Sequence, residues 1–188
     1  MKPPRRPTHR VARLALTIGL AVYGVVILSH PESYRLLDHV DLAIHETGHL
    51  VFGPFGEFMG FLGGTLFQLI MPAAFVFHFV YQGDRHAASI PLWWFAQNLW
   101  NVSVYVQDAR SQLLPLVGGG QHDWRYLLAR TDLLLHDQEI ARAIHFAGVL
   151  IFGWSVFWGI AALRDGRGRA EARPVPPHGA YETSEGNT

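Results

Sequence analysis

Residues 41–52 have the sequence DLAIHETGHLVF and contain an H-E-x-x-H motif, formed by His45, Glu46 and His49. The run favours a helix that ends before Pro54, because an α-helix cannot easily continue through proline. On a helix, side chains four residues apart lie on the same face. His45 and His49 can therefore offer two imidazole nitrogens to one metal ion, and Glu46 lies beside them.

The composition indicates an integral membrane protein. Of the 188 residues, 49% are hydrophobic and only 16% are charged, which is too apolar for an ordinary soluble domain of this size. The lipid bilayer is therefore an expected partner, whereas a formal charge of zero without a basic surplus argues against nucleic acid as a partner. The chain has no cysteine, so any metal must be held by histidine, carboxylates or water.

Four apolar stretches are long enough to span a bilayer: about residues 11–29, 58–81, 90–106 and 140–163. The motif helix carries too many ionisable groups to face lipid, so we expect it at the membrane interface or only partly inserted. The predicted fold is an all-α polytopic membrane helical bundle with about four transmembrane helices and this additional helix. Its predicted parts are a cytoplasmic tail (1–10), a membrane helical domain with the metal site (11–163) and a disordered cytoplasmic tail (164–188).

The distribution of lysine and arginine predicts the orientation of this multi-pass protein. With four spans, both termini lie on one side, together with ten of the 15 basic residues. Basic residues accumulate on the cytoplasmic side of membrane proteins, so we predict that both termini are cytoplasmic. The motif helix and the end of the third span then lie toward the outer face, where polar residues from distant parts of the sequence converge.

The third metal ligand has three candidates. Two imidazoles and one further nitrogen or oxygen ligand suit zinc (Zn²⁺) better than magnesium or calcium. Asp108 lies at the end of a predicted helix that carries a polar stripe, and His122 offers a nitrogen donor with Asp123 beside it. The sequence favours Asp108 and His122 equally as the third ligand, with Asp123 behind them.

Further polar residues are expected around the metal. Asp41, one turn before His45, either accepts the second ring N–H of a ligating histidine or solvates the start of the helix. The polar stripe of the third span contains Asn101 and Tyr105, either of which could stabilise an oxyanion. Asp123 is expected to orient a ligating histidine or to cap a helix.

An H-E-x-x-H helix within a small multi-span bundle resembles the site-2-protease type of membrane zinc metalloprotease, and His45, Glu46 and His49 carry the resemblance. In that family a later Asn...Leu-Asp-Gly segment supplies an aspartate ligand; here Asn101 and Asp108 follow in the same order without the Leu-Asp-Gly sequence. The resemblance implies zinc-dependent hydrolysis of a peptide bond, in a membrane-protein or peptide substrate, at or near the membrane surface. Glu46 would then act as the general base toward water.

A metal-binding membrane protein without peptidase activity is the alternative function: a carrier, a sensor or a subunit with a vestigial site. The 11 histidines favour a carrier or sensor. Glu46 favours the enzyme, because a carrier has little use for a carboxylate that lies beside the metal without binding it. No residue pattern indicates the oligomeric state.

Overall fold

A computed structural model describes residues 7–30, 33–116 and 120–171 of the protein, with side chains described between residues 9 and 164 of these ranges. Within this part of the chain every regular element is helical, which confirms the predicted all-α fold. The six α-helices are α1 (Pro7–Ser29), α2 (Leu36–Phe52), α3 (Glu57–Tyr81), α4 (Arg85–Gln107), α5 (Asp123–Arg130) and α6 (Asp137–Glu171). Two short 3-10 helices, Gly53–Phe55 and Leu134–His136, follow α2 and precede α6.

Three helices of the described chain are long and apolar enough to cross a membrane: His9–Ser29, Glu57–Tyr81 and Leu134–Arg164. They coincide with three of the four predicted spans. The other predicted span coincides with α4, whose 23 residues are long enough but too polar to meet the same criterion. The polarity of α4 has a structural reason, because this helix lies in the centre of the bundle.

α4 packs along α6 and α3 and also contacts α1 and α5. Its buried side chains are both apolar and polar and include His86, Ala88, Ser89, Trp93, Ala96, Gln97, Asn98, Trp100, Val102, Ser103 and Val106. Trp93 and Trp100 pack with residues of α1 and α6 in one apolar cluster, and Val102 and Val106 pack with residues of α5 and α6 in another. Most of the surface of α4 is therefore shielded from the surroundings of the bundle.

The bundle carries apolar side chains on its outside and polar side chains in its interior. Large hydrophobic residues are exposed along the three apolar helices, for example Val22, Phe77 and Leu150. In contrast, Asp41 and Asn98 are completely buried. Soluble domains have the opposite distribution, whereas this one is expected of a helical bundle surrounded by lipid.

Contacts between helices define the two ends of the bundle. Arg13 near the start of α1 forms an ion pair with Asp84, which caps the start of α4. Gly159, in the later part of α6, lies against Ser89 in the first turns of α4. α2 and α5 lie at the opposite end, where Tyr105 in the last turns of α4 contacts both helices. The start of α1 and the later part of α6 thus lie at one end, and the motif helix lies at the other.

α2 begins at Leu36 instead of near residue 32, because Asp38 Oδ2 accepts a hydrogen bond from Arg35 N (2.6 Å) and caps the helix there. α5 is also shorter than predicted, with eight residues. α6 continues to Glu171, beyond the predicted end of the last span. The outer parts of the two predicted tails, residues 1–6 and 172–188, lie outside the described residues.

Candidate metal centre

α2 presents the H-E-x-x-H motif near α5. The His45 side chain is buried and the His49 side chain is partly buried, and the centroids of the two rings are 4.8 Å apart. Glu46 is exposed and borders the same cavity as both histidines. One face of α2 thus carries both imidazoles, as the spacing of four residues predicts.

Asp123, the first residue of α5, completes a group of three potential metal ligands. Its Oδ2 lies 3.0 Å from His45 Nε2 and 3.3 Å from His49 Nε2. One ligand atom from each of the three residues lies within 4.8 Å of the others. Side chains from two helices that are distant in sequence could therefore hold one metal ion.

The other ring nitrogen of each histidine contacts an oxygen atom that can only accept a hydrogen bond. His49 Nδ1 lies 2.7 Å from the Gly60 carbonyl oxygen, and His45 Nδ1 lies 3.1 Å from Gln68 Oε1. Both Nδ1 atoms must therefore carry a proton, which leaves a lone pair on each Nε2 when the rings are neutral. Two nitrogen lone pairs and a carboxylate oxygen then face one point, and this arrangement requires a proton or a metal cation between them.

The charges of His49 and Asp123 stabilise each other. The hydrogen bond that His49 donates to the Asp123 carboxylate raises the pKa of His49 to about 9, against the opposing effect of burial. Burial alone would raise the pKa of Asp123, but the neighbouring His45 and His49 rings lower it to about 2, because a protonated ring donates to the carboxylate. In the metal-free protein a proton therefore occupies the position between these side chains at neutral pH, and a metal ion must displace it.

Glycines allow α2 to approach α3 closely enough to build this group. A Cβ atom on Gly64 would lie 2.5 Å from His45 Nε2, well inside van der Waals contact. A Cβ atom on Gly63 would lie 2.7 Å from the carbonyl oxygen of Gly48, which is part of the motif. The His45 ring therefore occupies space that any larger residue at position 64 would fill.

Contacts to α3 and α4 hold Asp123 in position. Trp124 Nε1, next in sequence, donates a hydrogen bond to Thr65 Oγ1 on α3 (3.2 Å), and α5 also stacks an aromatic ring on α3. The Tyr105 hydroxyl on α4 donates to Asp123 Oδ2 and accepts from Asp123 N, both at 3.3 Å. Tyr105 thus lies beside the candidate metal centre, as the polar stripe predicts.

Asp108 and His122, the two ligands that the sequence favours, are not part of the three-residue group. Asp108 accepts hydrogen bonds from Ser111 Oγ (2.7 Å) and from the backbone N–H groups of residues 113 and 114 (2.8 and 3.0 Å). His122 caps α5 by accepting a hydrogen bond from Arg125 N (3.3 Å), and its Nε2 lies 3.5 Å from Asp108 Oδ2. Both residues therefore organise the connection between α4 and α5, and Asp123 takes the position beside His45 and His49.

The same contacts explain the charge states of Asp108 and His122. Burial opposes the ionised form of Asp108, but the hydrogen bonds from Ser111 and the backbone hold its pKa below the usual value. Burial lowers the pKa of His122, against the attraction of Asp108. A neutral His122 can accept the hydrogen bond that caps α5, so its role in the fold needs no metal.

Asp41 and Asn101 contact other polar groups. Asp41 Oδ1 accepts a hydrogen bond from Trp94 Nε1 (2.8 Å) and so links α2 to α4. Asn101 Oδ1 accepts one from Gln68 Nε2 (3.0 Å), so Asn101 reaches His45 only through Gln68.

Gln68 and the Gly60 carbonyl orient the two histidines, and the sequence patterns assigned neither of them this role. A lone amide in an apolar span is a usable signal for Gln68, whereas a backbone carbonyl leaves no signal in the sequence.

A cavity of about 1080 Å³ opens at the three-residue group. Its walls are α2, the first turns of α3, the last turns of α4 and described residues of the connection to α5. Acidic side chains and histidines line it, whereas none of its described lining residues is a lysine or arginine. The potential inside the cavity therefore favours a cation.

Comparisons with protein-family models, with curated proteins and with solved structures found no match to this chain. The function must therefore be inferred from the geometry and chemistry of the site.

Proposed function

We propose that this protein is a membrane-embedded zinc hydrolase that cleaves peptide bonds, with His45, His49 and Asp123 as its metal ligands. One observation carries the proposal. The Nδ1 atoms of both histidines are bound to acceptor oxygens, so that both Nε2 lone pairs and Asp123 Oδ2 converge on one point. Glu46 belongs to the same helix and borders the same cavity, which adds a proton acceptor to the metal site.

The donor set and its spacing support zinc as the metal. Two imidazole nitrogens and one carboxylate oxygen form a typical three-ligand set for catalytic zinc, which keeps its fourth position open. Ligand atoms about 2.0–2.1 Å from a tetrahedral zinc ion lie about 3.3 Å from one another. The distances of 3.0 and 3.3 Å from Asp123 Oδ2 to the two Nε2 atoms are close to this value.

The zinc ion, Glu46 and Tyr105 would have separate roles in the proposed chemistry. A bound zinc ion would supply Lewis acidity toward a substrate carbonyl and a water molecule. Glu46 would take a proton from water and transfer it to the departing amine. Tyr105 borders the cavity and would hold Asp123 in place, because its hydroxyl donates a hydrogen bond to the ligand oxygen.

The size of the cavity supports an extended substrate. Pockets for small molecules have volumes of about 300–1,000 Å³, and this cavity, at about 1080 Å³, lies at the upper end of that range. A segment of polypeptide, in a membrane protein or a free peptide, fits this volume and the proposed bond cleavage.

The distribution of apolar surface supports a membrane setting with four spans. We propose that α4 crosses the bilayer together with α1, α3 and α6, shielded from lipid by these helices. The exposed side of α2 includes Leu36, Val40 and Leu50, whereas Asp38, Asp41 and His45 are buried, which suits a helix that is partly inserted. The excess of basic residues near the termini supports cytoplasmic termini and an outward-facing site. A reporter that is active only in the cytoplasm tests this orientation when it is inserted in the loop at Gly118. A signal from that reporter would contradict the orientation.

The proposed activity can be tested without knowing the substrate. The purified, zinc-loaded protein is incubated in H₂¹⁸O with a complex mixture of peptides, and mass spectrometry detects new carboxyl termini that contain ¹⁸O. We expect Glu46→Gln to keep zinc and to lose cleavage on the order of 10²- to 10⁴-fold, because it removes the proton acceptor and no ligand. Equal ¹⁸O incorporation by both proteins would contradict the proposal, and zinc binding without cleavage would favour a metal carrier or sensor.

A further inference from the structure

We infer that Asp38, Asn101 and Gln68 form a hydrogen-bonded relay that fixes the tautomer of His45 and keeps its Nε2 available to a metal. The inference rests on the proposed metal centre and adds three positioning residues to it. The relay begins and ends on α2, because Asp38 and His45 lie two turns apart on the same face of this helix. Between them it passes through α4 and α3.

Each link of the relay is a hydrogen bond between side chains. Asn101 Nδ2 lies 3.4 Å from Asp38 Oδ1, Gln68 Nε2 lies 3.0 Å from Asn101 Oδ1, and Gln68 Oε1 lies 3.1 Å from His45 Nδ1. Asp38 itself is held by two further donors: Gln97 Nε2 at 3.0 Å from Oδ1 and Arg35 N at 2.6 Å from Oδ2. Asp38 and Gln68 are nearly completely buried, and together with Asn101 they border the cavity.

The chemistry of Asp38 gives the relay one direction. A carboxylate only accepts hydrogen bonds, so Asn101 must turn its Nδ2 toward Asp38 and its Oδ1 toward Gln68. Gln68 must then donate through Nε2 to Asn101, which leaves Gln68 Oε1 facing His45. An oxygen in this position requires a proton on His45 Nδ1, and the Nε2 lone pair then points at Asp123.

Without the relay, the amide of Gln68 could adopt two orientations, because its oxygen and nitrogen ends are nearly equal in size and shape. If Gln68 turned its Nε2 toward His45, the ring would have to accept through Nδ1 and carry its proton on Nε2. That proton would point at Asp123 Oδ2, where the metal is proposed to bind. Asn101 and Asp38 therefore act on the metal site from a distance, by excluding this orientation of Gln68.

The first test compares zinc affinity of two variants of the full-length protein, measured by competition with a chelator. Asn101→Leu breaks the relay, and we expect it to weaken zinc binding about 10- to 100-fold, as the loss of orienting groups behind metal ligands does. Gln97→Leu is the matched control, because it removes a different donor to the same Asp38 oxygen and leaves the relay intact. We expect its zinc affinity to stay close to that of the wild type.

The second test repeats Asn101→Leu in a Gln68→Glu background. A carboxylate at position 68 accepts from His45 in either orientation, so the tautomer no longer depends on Asn101. We expect Gln68→Glu to retain zinc and to abolish the effect of Asn101→Leu on zinc affinity. Equal losses in Asn101→Leu and Gln97→Leu, or an undiminished effect in the Gln68→Glu background, would overturn the inference.

A readout that needs no metal separates the relay from the proposed function. In metal-free protein with ¹⁵N-labelled histidine, NMR at a mildly alkaline pH, where His49 still carries the proton that faces Asp123, reports which ring nitrogen of His45 carries its proton. We expect the proton on Nδ1 in the wild type and on Nε2 in Asn101→Leu, or in Asn101→Ala if the leucine variant does not fold. If the wild-type protein fails to bind zinc in the competition assay, the proposed metal centre is contradicted. If the wild type and the variant have the same His45 tautomer, the relay is contradicted.

Discussion

Two clusters of buried and partly buried polar side chains lie at opposite ends of the bundle, one around His45 and the other around His86. In the second cluster, Arg13 and Asp84 form a bidentate ion pair with distances of 3.1 and 2.7 Å. His86 Nε2 lies 3.1 Å from both Thr17 Oγ1 and the carbonyl oxygen of Arg13. A guanidinium and a carboxylate neutralise each other there, and the contacts fasten α1 to α4.

The His45 cluster lacks this balance. The atoms that face one another are His45 Nε2, His49 Nε2 and Asp123 Oδ2, and all three are acceptors when the rings are neutral. The two clusters are similar in burial, but only the His45 cluster borders the large cavity and needs a proton or a metal cation between its three acceptor atoms. The balance of donors and acceptors, more than burial, therefore distinguishes a candidate binding site from a structural contact.

The largest expected effect is loss of zinc from the His45 cluster, which distinguishes it from the His86 cluster. The double variant His45→Ala and His49→Ala should lose bound zinc, because a single carboxylate cannot hold the ion. His86→Ala should retain zinc, since its ring contacts α1 at the other end of the bundle. Elemental analysis of the purified proteins measures the zinc content of both variants. Zinc retained by the double variant would contradict the distinction between the two clusters.

A second prediction tests how closely α3 must approach His45. Gly64→Ala should reduce zinc affinity by at least about tenfold, because its Cβ would lie 2.5 Å from His45 Nε2 and force the ring to move. Gly60→Ala is the matched control one turn earlier on α3, where a Cβ would meet its nearest neighbour at 3.6 Å. The carbonyl oxygen of residue 60 remains available to His49 in this control. Equal zinc affinities of the two variants would show that the close approach is unimportant for the metal.

The sequence was sufficient to predict the helical bundle and three of the apolar spans, because apolar length is a property of the chain itself. It also predicts that α4 buries its polar stripe, which the structure confirms for Gln97. The helix ends were less predictable because they depend on local caps. For example, Asp38 accepts a hydrogen bond from Arg35 N, and this cap makes α2 begin four residues later than expected.

The third member of the site could not be predicted, because it depends on how the connection between α4 and α5 folds. Asp108 bonds to backbone N–H groups five and six residues later, and His122 becomes the helix cap. Asp123 then becomes the first residue of α5 and faces His45. The sequence brings these acids and histidines near one another, but only the loop conformation decides which side chain meets the motif.

The smallest predicted effect concerns Asp41, which is completely buried and whose Oδ2 has no hydrogen-bond partner among the described residues. Burial raises the pKa of Asp41 to about 6, with the Trp94 hydrogen bond in partial opposition. Because the folded pKa lies above the unfolded value, the stabilisation is complete below pH 4 and is lost as the pH rises through about 6. Asp84 at the other end of the bundle differs from Asp41, because its carboxylate forms an ion pair with the Arg13 guanidinium.

Asp41→Asn should therefore remove this pH dependence. Above pH 6 the variant should be more stable than the wild type, by about 1 to 3 kcal/mol in the free energy of unfolding. Thermal unfolding in detergent between pH 5 and pH 8 measures the difference, with Asp132→Asn at an exposed position as control. Parallel pH profiles of the wild type and Asp41→Asn would be inconsistent with a buried carboxyl that titrates near pH 6.

The zinc content of Asp123→Ala and Asp108→Ala tests the proposed metal centre most directly. The two variants remove the same functional group, one from the three-residue group and one from the neighbouring loop. We predict about one zinc ion per chain in the wild type and in Asp108→Ala, and little or none in Asp123→Ala, because a catalytic zinc site needs three protein ligands. Zinc retained by Asp123→Ala and lost from Asp108→Ala would contradict this metal centre and restore Asp108 as the ligand.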